Sequence, residues 1–266
     1  MIYDNNEITA ITYSGYSIVR AYSCGGELVF GNEPTPPAHD YKFMAEYGGG
    51  YNYSVPCNSS STLTRSETHL PPYTYDSMSS VTIGDCVTTI GYNAFNSFYR
   101  LVSAYIPPTV ANIGEKAFCS CDALTNVSIP SGVTSVGKNA FSETNIRSIV
   151  IPNGLTSLSD GVFDSCYNLT AVTIPNTVTN IGAQCFEDCR GLPNLIIPES
   201  VTYIGNSAFN QCFRLLSITC LAVVPPTLGS GVFNFTNDCV IYVPQASLSA
   251  YQSAWSEYAS RLQAIP

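Results

Sequence analysis

The sequence predicts a mainly β solenoid wound in coils of about 23 residues, with a small β module ahead of it and a helical cap behind it. Three markers that recur in fixed phase predict this. Ile-Pro occurs at Ile106-Pro107, Ile129-Pro130, Ile151-Pro152, Ile174-Pro175 and Ile197-Pro198, at spacings of 23, 22, 23 and 23 residues. A small residue followed by Phe runs in step, at Ala94-Phe95, Ala117-Phe118, Ala140-Phe141, Val162-Phe163, Cys185-Phe186, Ala208-Phe209 and Val232-Phe233. Between the two lies Ile-Gly or a relative: Ile90-Gly91, Ile113-Gly114, Val136-Gly137, Leu158-Ser159, Ile181-Gly182 and Ile204-Gly205. Composition agrees, because 11% charged residues beside 19 Gly, 17 Pro and 18 Tyr disfavour long helices, and 45% hydrophobic residues can fill a core.

Taken in order, residues 8–13, 16–22 and 27–30 are short β-type runs separated by Ser14-Gly15 and Cys24-Gly25-Gly26. They predict a three-stranded meander over residues 1–33 that serves as an attachment module. Residues 34–40 form a Pro-rich linker of extended character. Within 41–80, two β-type runs flank Gly48-Gly49-Gly50 and predict a hairpin that begins an N-terminal cap, while the Ser/Thr/Pro-rich remainder wraps irregularly onto the first repeat.

Residues 81–243 hold the repeats, read as V-x-x-I-G-x-x-A-F-x-x-C-x-x-L-x-x-V-x-I-P in six copies. The end of the unit alternates with period two, a short strand that Pro then stops. Stacking the copies gives a parallel sheet with strands ~4.8 Å apart, Phe upon Phe, in a rod ~30 Å long. Gly after Ile suits a corner where a Cβ would clash or φ is positive. In 244–266, Leu248, Tyr251, Trp255, Tyr258 and Leu262 fall at steps of three and four, one helical face, with Ser247 as its N-cap. Such a helix covers the last coil.

Eleven cysteines, an odd number, first suggest a disulfide framework, zinc or buried thiols. Cys121, Cys166, Cys189 and Cys212 each follow the repeat Phe by three residues, which predicts a ladder of buried thiols with poor disulfide geometry. Cys185 takes the Ala slot and Cys220 the strand Ile slot, as small core hydrophobes do. Cys119 with Cys121, and Cys185 with Cys189, resemble zinc spacings, but one member of each pair belongs to the ladder. Three departures weaken single contacts: Phe98 replaces the ladder Cys, the third copy is one residue short around Glu143, and Leu158-Ser159 replaces Ile-Gly.

No catalytic constellation emerges. His39 and His69, the two histidines, lie outside the repeats and away from any G-x-S-x-G. Asp122, Asp160, Asp164, Glu187 and Asp188 read as scattered, solvated turn residues, and Gly48-Gly49-Gly50 lacks the Lys-Ser/Thr of a phosphate loop. The expectation is a protein that is not an enzyme and that takes no metal and no cofactor; a glycan hydrolase is the unmotivated alternative. A net charge of −9 disfavours nucleic acid. No apolar run approaches the ~20 residues of a membrane span, so no membrane insertion is expected. With two acids in the first seven residues and no Lys or Arg before Arg20, no secretory signal is expected either.

The repeat frame also names a candidate binding surface. Between the strand Val and Ile an outward residue recurs: Tyr105, Ser128, Val150, Thr173, Ile196 and Thr219. Two turn positions precede the strand Leu: Tyr99-Arg100, Asp122-Ala123, Thr144-Asn145, Tyr167-Asn168, Arg190-Gly191 and Phe213-Arg214. Tyr99, Arg100, Tyr105, Tyr167, Arg190, Phe213 and Arg214 are the candidate ligand contacts, since aromatics and Arg bring large area with few rotors to freeze. The competing reading is that neighbouring rungs simply pack on each other.

The unit closely resembles the BspA-type leucine-rich repeats of surface adhesins from oral and gut Bacteroidetes and some protozoa, over residues 81–266. The ending matches too, through Pro225-Pro226-Thr227-Leu228, Val232-Phe233, Ile241-Tyr242-Val243-Pro244 and Ile265-Pro266. The resemblance implies a leucine-rich-repeat solenoid and a non-enzymatic binding or adhesion role toward a protein or a cell-surface glycan. Residues 8–20 and the block from Cys57 to Thr64 are similar to the start of repeat proteins carried by phages of gut Bacteroidetes. That similarity implies a tail- or head-associated virion component whose residues 1–33 dock on another virion or envelope protein. The alternatives are an architectural assembly subunit that buries its ridge in a homo-oligomer, and a bacterial surface adhesin.

Overall fold

The computed structural model describes the backbone of residues 3–4, 7–13, 16–24 and 27–29, together with residues 41–47, 51–57, 59–68 and 77–266. The linker 34–40 and both histidines lie outside the described residues. The N-terminal strands Tyr3–Asp4, Glu7–Tyr13, Tyr16–Cys24 and Glu27–Val29 form an antiparallel sheet in sequence order. That is one strand more than expected, because Tyr3–Asp4 pairs back onto Glu7 and Ile8.

The repeats build three parallel ladders. The first, on the strand face, includes Ser103–Tyr105, Ser148–Val150, Asn194–Ile197 and Ser217–Cys220, each rung in register with its neighbour 23 residues on. The second, at the Ile-Gly corner, runs through two-residue strands such as Asn112–Ile113 and Asn180–Ile181. At Gly137 and Gly205 an added Cβ would come within 2.4 Å of main-chain nitrogens of the preceding coil. Close approach, not positive φ, is therefore what the corner glycines serve.

The third ladder passes through the small-Phe turns, where Phe95, Phe118, Phe141, Phe163, Phe186 and Phe209 each donate their N–H to the residue just before the next coil's Phe. Seven rings stack along the axis with centroids 5.1 to 5.9 Å apart and planes within 14°. Positive φ sits two residues to either side of these rings, at Lys116 and Ser120, for example, and at Gln184 and Asp188. Only two of the slots before the ring carry glycine, Gly161 and Gly231. Left-handed backbone at ordinary residues is costly, so the interlocked ladder must hold it in place.

The thiol ladder is as expected for Cys121, Cys166, Cys189 and Cys212, all buried, and Cys185 and Cys220 are core residues. The thiols do more than fill space. Each of the four donates across the coil interface to the carbonyl of the preceding coil's Phe, at 3.1 to 3.3 Å. Thr144 corrects an expectation: it is not a turn residue but occupies the cysteine slot of the third copy, buried, its Oγ1 donating to Phe141 O at 2.9 Å. The missing residue therefore falls after Thr144, which shortens the turn before Ile146.

Both ends differ from the sequence reading. The corner ladder has eight rungs and starts at Thr62–Leu63, well before residue 81, with Leu63 in register with Ile90. This first coil is degenerate. Thr64 stands in the Gly slot and Thr68 in the ring slot, so the markers are absent while the geometry persists. The hairpin Tyr41–Tyr47 with Tyr51–Pro56 adds antiparallel to Met78–Ile83 and closes the open edge of the strand face. Phe43 meets Phe95 edge-on at 6.2 Å. Lys42, fully buried, bonds Glu67 Oε1 at 2.6 Å and Thr62 O at 2.9 Å, while Glu67 Oε2 accepts from Thr64 N and Oγ1. Cys57 and Cys86 form a disulfide between hairpin and solenoid, a pairing with no repeat marker to announce it.

At the other end the five apolar cap residues do turn inward, but the helix spans only Leu248–Ala254. Trp255, at φ −109° and ψ 47°, breaks it, a 3-10 helix follows over Ser256–Arg261, and Leu262–Ala264 adds a parallel strand beside Val240–Val243. Ser247 makes no side-chain cap bond, because a 3-10 turn over Gln245–Ser247 runs straight into the helix. The cap is fixed by Tyr251 Oη donating to Ala222 O at 2.7 Å and Trp255 Nε1 to Pro226 O at 2.8 Å. Trp255 and Tyr258 then seal the ring stack against Phe233.

Candidate functional site

Where each coil leaves its buried Cys slot, the next side chain points out, so equivalent turn residues of successive coils line up as a ridge. The structure brings Tyr167, Arg190 and Phe213 together there. The Arg190 guanidinium carbon lies 4.9 Å from the Tyr167 ring centroid and 5.8 Å from that of Phe213, a cation held between two aromatic faces. Both rings stay accessible, Tyr167 at 47% and Phe213 at 39%. Arg214 is exposed beside Phe213.

The group is braced from below. Asp188, in left-handed backbone at φ 58°, takes a bidentate bond from Arg190, Nε to Oδ1 at 2.6 Å and Nη2 to Oδ2 at 2.9 Å. On either side neighbouring turns are tied as well. Asn168 Nδ2 donates to Asn145 Oδ1 at 2.6 Å, and Asn237 Nδ2 donates to Phe213 O. Asp188 was expected to be a solvated turn acid; it is the residue that fixes the Arg190 plane. The signal in the sequence is Asp-x-Arg at the turn, which reads as an ion pair only once the backbone conformation is known.

Tyr99 and Arg100 are exposed but stand apart from this group, since the turns carrying Asp122 and Asn145 intervene. Tyr105 is exposed on the strand face, opposite Thr82 in the ladder. The seven candidate contacts thus resolve into a triad with Arg214 beside it, a separate pair on the turn face, and Tyr105 on the strand face.

The acids are also more organised than expected. Asp164 is pushed up to about 6, chiefly by burial, with the carboxylates of Glu187, Glu143 and Asp188 adding to the effect. These four side chains share one flank of the turn face, and neutral hydroxyl and amide donors bond three of them: Ser120 to Glu143, Ser165 to Asp164, and Asn210 to Glu187. Asp160 pairs with Lys138 at 2.8 Å and accepts from Ala183 N. Among the described residues no group of three or more His, Cys, Asp or Glu side chains converges in a metal-binding arrangement, and no helix is long and apolar enough to cross a membrane.

Parallel ladders, an axial ring stack, capped ends and outward rungs define a leucine-rich-repeat solenoid, the class of protein that presents side-chain ladders to partners. The chain belongs to the BspA-type family in particular: the model of the BspA type leucine rich repeat region matches six copies, over residues 59–170 and 156–265. A leucine rich cell surface protein from Faecalibacterium prausnitzii A2-165 is similar, at 32% identity and a TM-score of 0.56, over 82% of this chain and 56% of that one. The fold is shared as well by a leucine-rich repeat protein of T. pallidum, at 23% identity and a TM-score of 0.55, over 71% of this chain and 92% of that one. No curated protein matches the chain in sequence.

Proposed function

We propose that the chain is a non-enzymatic adhesion protein whose Tyr167–Arg190–Phe213 ridge, with Arg214 at its side, engages a protein or glycan on a cell surface. The observation that carries this is the preassembled cation between two exposed rings, because two rotor-poor aromatics and an Arg already locked by Asp188 lose little entropy on binding. The similarity to a cell surface protein of Faecalibacterium prausnitzii supports a surface setting.

Alanine substitutions at Tyr167, Arg190 and Phe213 test it, with labelled protein scored on whole bacterial cells and on a glycan array. Each is expected to weaken binding by about tenfold or more, the scale of an interface anchor, while Arg100→Ala changes it little. Unaltered binding by all three would sink the reading. If the ridge instead joins copies of the chain, Arg190→Ala shifts the sedimentation coefficient and leaves adhesion intact.

The finer assignment, a phage virion component attached through residues 1–33, rests on the N-terminal sequence resemblance. Mass spectrometry of purified particles against host-envelope fractions decides it, and presence in the envelope alone refutes it.

A further inference from the structure

The strand-face ladder has no pairing between Asn126–Val127 and Ser148–Val150, and the corner ladder has none between Ser135–Val136 and Ser157–Leu158. Yet on the turn face the same two coils remain joined. Phe118 N donates to Ala140 O at 2.8 Å, Ser120 N to Ser142 O at 2.9 Å, and Phe118 stacks on Phe141 at 5.4 Å. The interface is therefore a wedge open at the strand face, closed on the turn face by these bonds and closed again beyond the strand, where an added Cβ at Gly154 would come 2.4 Å from Val133 O.

Two sequence departures cause it. The residue missing after Thr144 shortens the turn that feeds Ser148–Val150. Ser159 also stands in a slot where other coils need Gly; the corner steps away, and Ser159 Oγ, at 2.7 Å, takes the Val136 carbonyl that a main-chain N–H takes elsewhere. A second gap in the strand-face ladder, between Ala171–Thr173 and Asn194–Ile197, differs in kind. Pro193 lacks the N–H that would reach back, while the corner ladder runs on unbroken.

The wedge holds a cleft of about 480 Å³, inside the range of binding clefts, with Val127, Ser128 and Ile129 on one lip and Ser148, Val150 and Ile151 on the other. In a parallel ladder alternate residues aim their main-chain groups at opposite neighbours. Arg147 O and Ile151 N are bonded to the following coil, so Ser148 and Val150 aim theirs at the cleft. On the facing lip Asn126 N bonds back to Val102, so Val127 aims its N–H and C=O at the cleft too. None of these cleft-facing groups has a main-chain partner in the coil opposite.

We propose that this cleft receives an extended, uncharged peptide strand of a partner protein, inserted as a supernumerary rung. Donors and acceptors alternating at strand spacing on both lips are met together by an extended peptide backbone, which carries the same alternation on its two edges. No charged side chain lines the cleft, so an uncharged occupant loses least on desolvation. Val150, 66% exposed at the lip, offers an apolar neighbour to an outward side chain of that strand.

The probe is the chain's own Thr170–Ile174 sequence, acetylated and amidated, which in the fold already pairs as a rung beside Ser148–Val150. Titrated into the full chain, it is expected to move the amide resonances of Val127, Ser148 and Val150 saturably. N-methylation at alternate residues, which removes the donors on one edge, should weaken it by about tenfold or more. A variant with one residue inserted between Thr144 and Asn145 and with Ser159→Gly should protect the Ser148 and Val150 amides from exchange and lose binding. Absence of saturable shifts, binding indifferent to N-methylation, or binding retained once those amides are protected overturns the proposal. Should that variant fail to close the ladder, Val150→Asp at the exposed lip decides: it must weaken the peptide, and unchanged affinity overturns the proposal.

Discussion

Replacing Phe163 by Ala removes the central ring of the stack. Phe163 is fully buried, with neighbouring rings at 5.9 Å toward Phe141 and 5.5 Å toward Phe186, so truncation leaves a cavity bounded by two coils that the turn ladder holds apart. Collapse is blocked, because Phe141 N still reaches Val162 O and Phe163 N still reaches Cys185 O through the main chain. A Phe to Ala change in such a site costs about 3 to 5 kcal/mol, and the poor scope for relaxation favours the upper half. Two lost ring contacts, at roughly 0.5 to 1.5 kcal/mol each, are part of that figure.

The site matters because a solenoid couples only neighbours. Weakening the middle should separate the two halves. Urea unfolding followed by circular dichroism reports every coil, whereas fluorescence of Trp255, the one tryptophan, reports the cap under Phe233. The wild type is expected to give coincident transitions, and Phe163→Ala an earlier circular dichroism midpoint with a later Trp255 transition. Phe235→Ala is the control, a ring 69% exposed at φ 55°, expected to change stability by about 0.5 kcal/mol at most. A loss below about 1 kcal/mol at Phe163, or coincident transitions in that variant, would refute the idea that the stack is the coupling element.

The Cys57–Cys86 bridge closes a loop of 29 residues, so Cys57→Ser is expected to cost about 3 to 4 kcal/mol on chain-entropy grounds, measured as a midpoint shift that reductant reproduces in the wild type. Burial pushes the Cys166 thiol up to about 11, against ~8.5 when unfolded, so its contribution is complete below pH ~8.5 and declines as pH rises toward about 11. Urea midpoints should therefore fall between those pH values, and less steeply in Cys166→Ala. Lys116 adopts φ 55° in a slot where another coil has Gly161, so Lys116→Gly is expected to stabilise by up to about 1 kcal/mol in thermal melts, and a loss would show that the strain is relieved elsewhere.

The solenoid was legible because the residues that set it, Ile106, Phe118, Cys121 and their equivalents, face a periodic environment and so repeat. Where the environment is unique, periodicity carries no signal. Cys57 and Cys86 meet between a hairpin and a coil, and neither has a counterpart elsewhere. Leu63 starts the corner ladder without Gly or Phe after it, since no rung precedes it in that ladder for a corner Cβ to meet. Thr144 is ambiguous in the sequence because a one-residue deletion can be drawn on either side of it, and its burial and bond to Phe141 O place it in the cysteine slot. The ridge was legible as residue types, but its division into a triad, a separate pair and a lone tyrosine depends on which coils adjoin. Asp188, which orders the triad, gave no sign of its role without its left-handed backbone.

The interrupted ladder between Val127 and Val150 has a mechanical meaning. Pulled along its axis, a stack of coils is a chain of springs in series, each carrying the same tension. The joint between the second and third full coils has lost its strand-face pairing, keeps one side-chain bond from Ser159 to Val136 O at the corner, and retains its turn-face bonds and rings, so it is the most weakly laddered link among the described coils. Under such a pull the solenoid would yield there first, hinging about Phe118 and Phe141, and would lengthen before either capped end began to unravel.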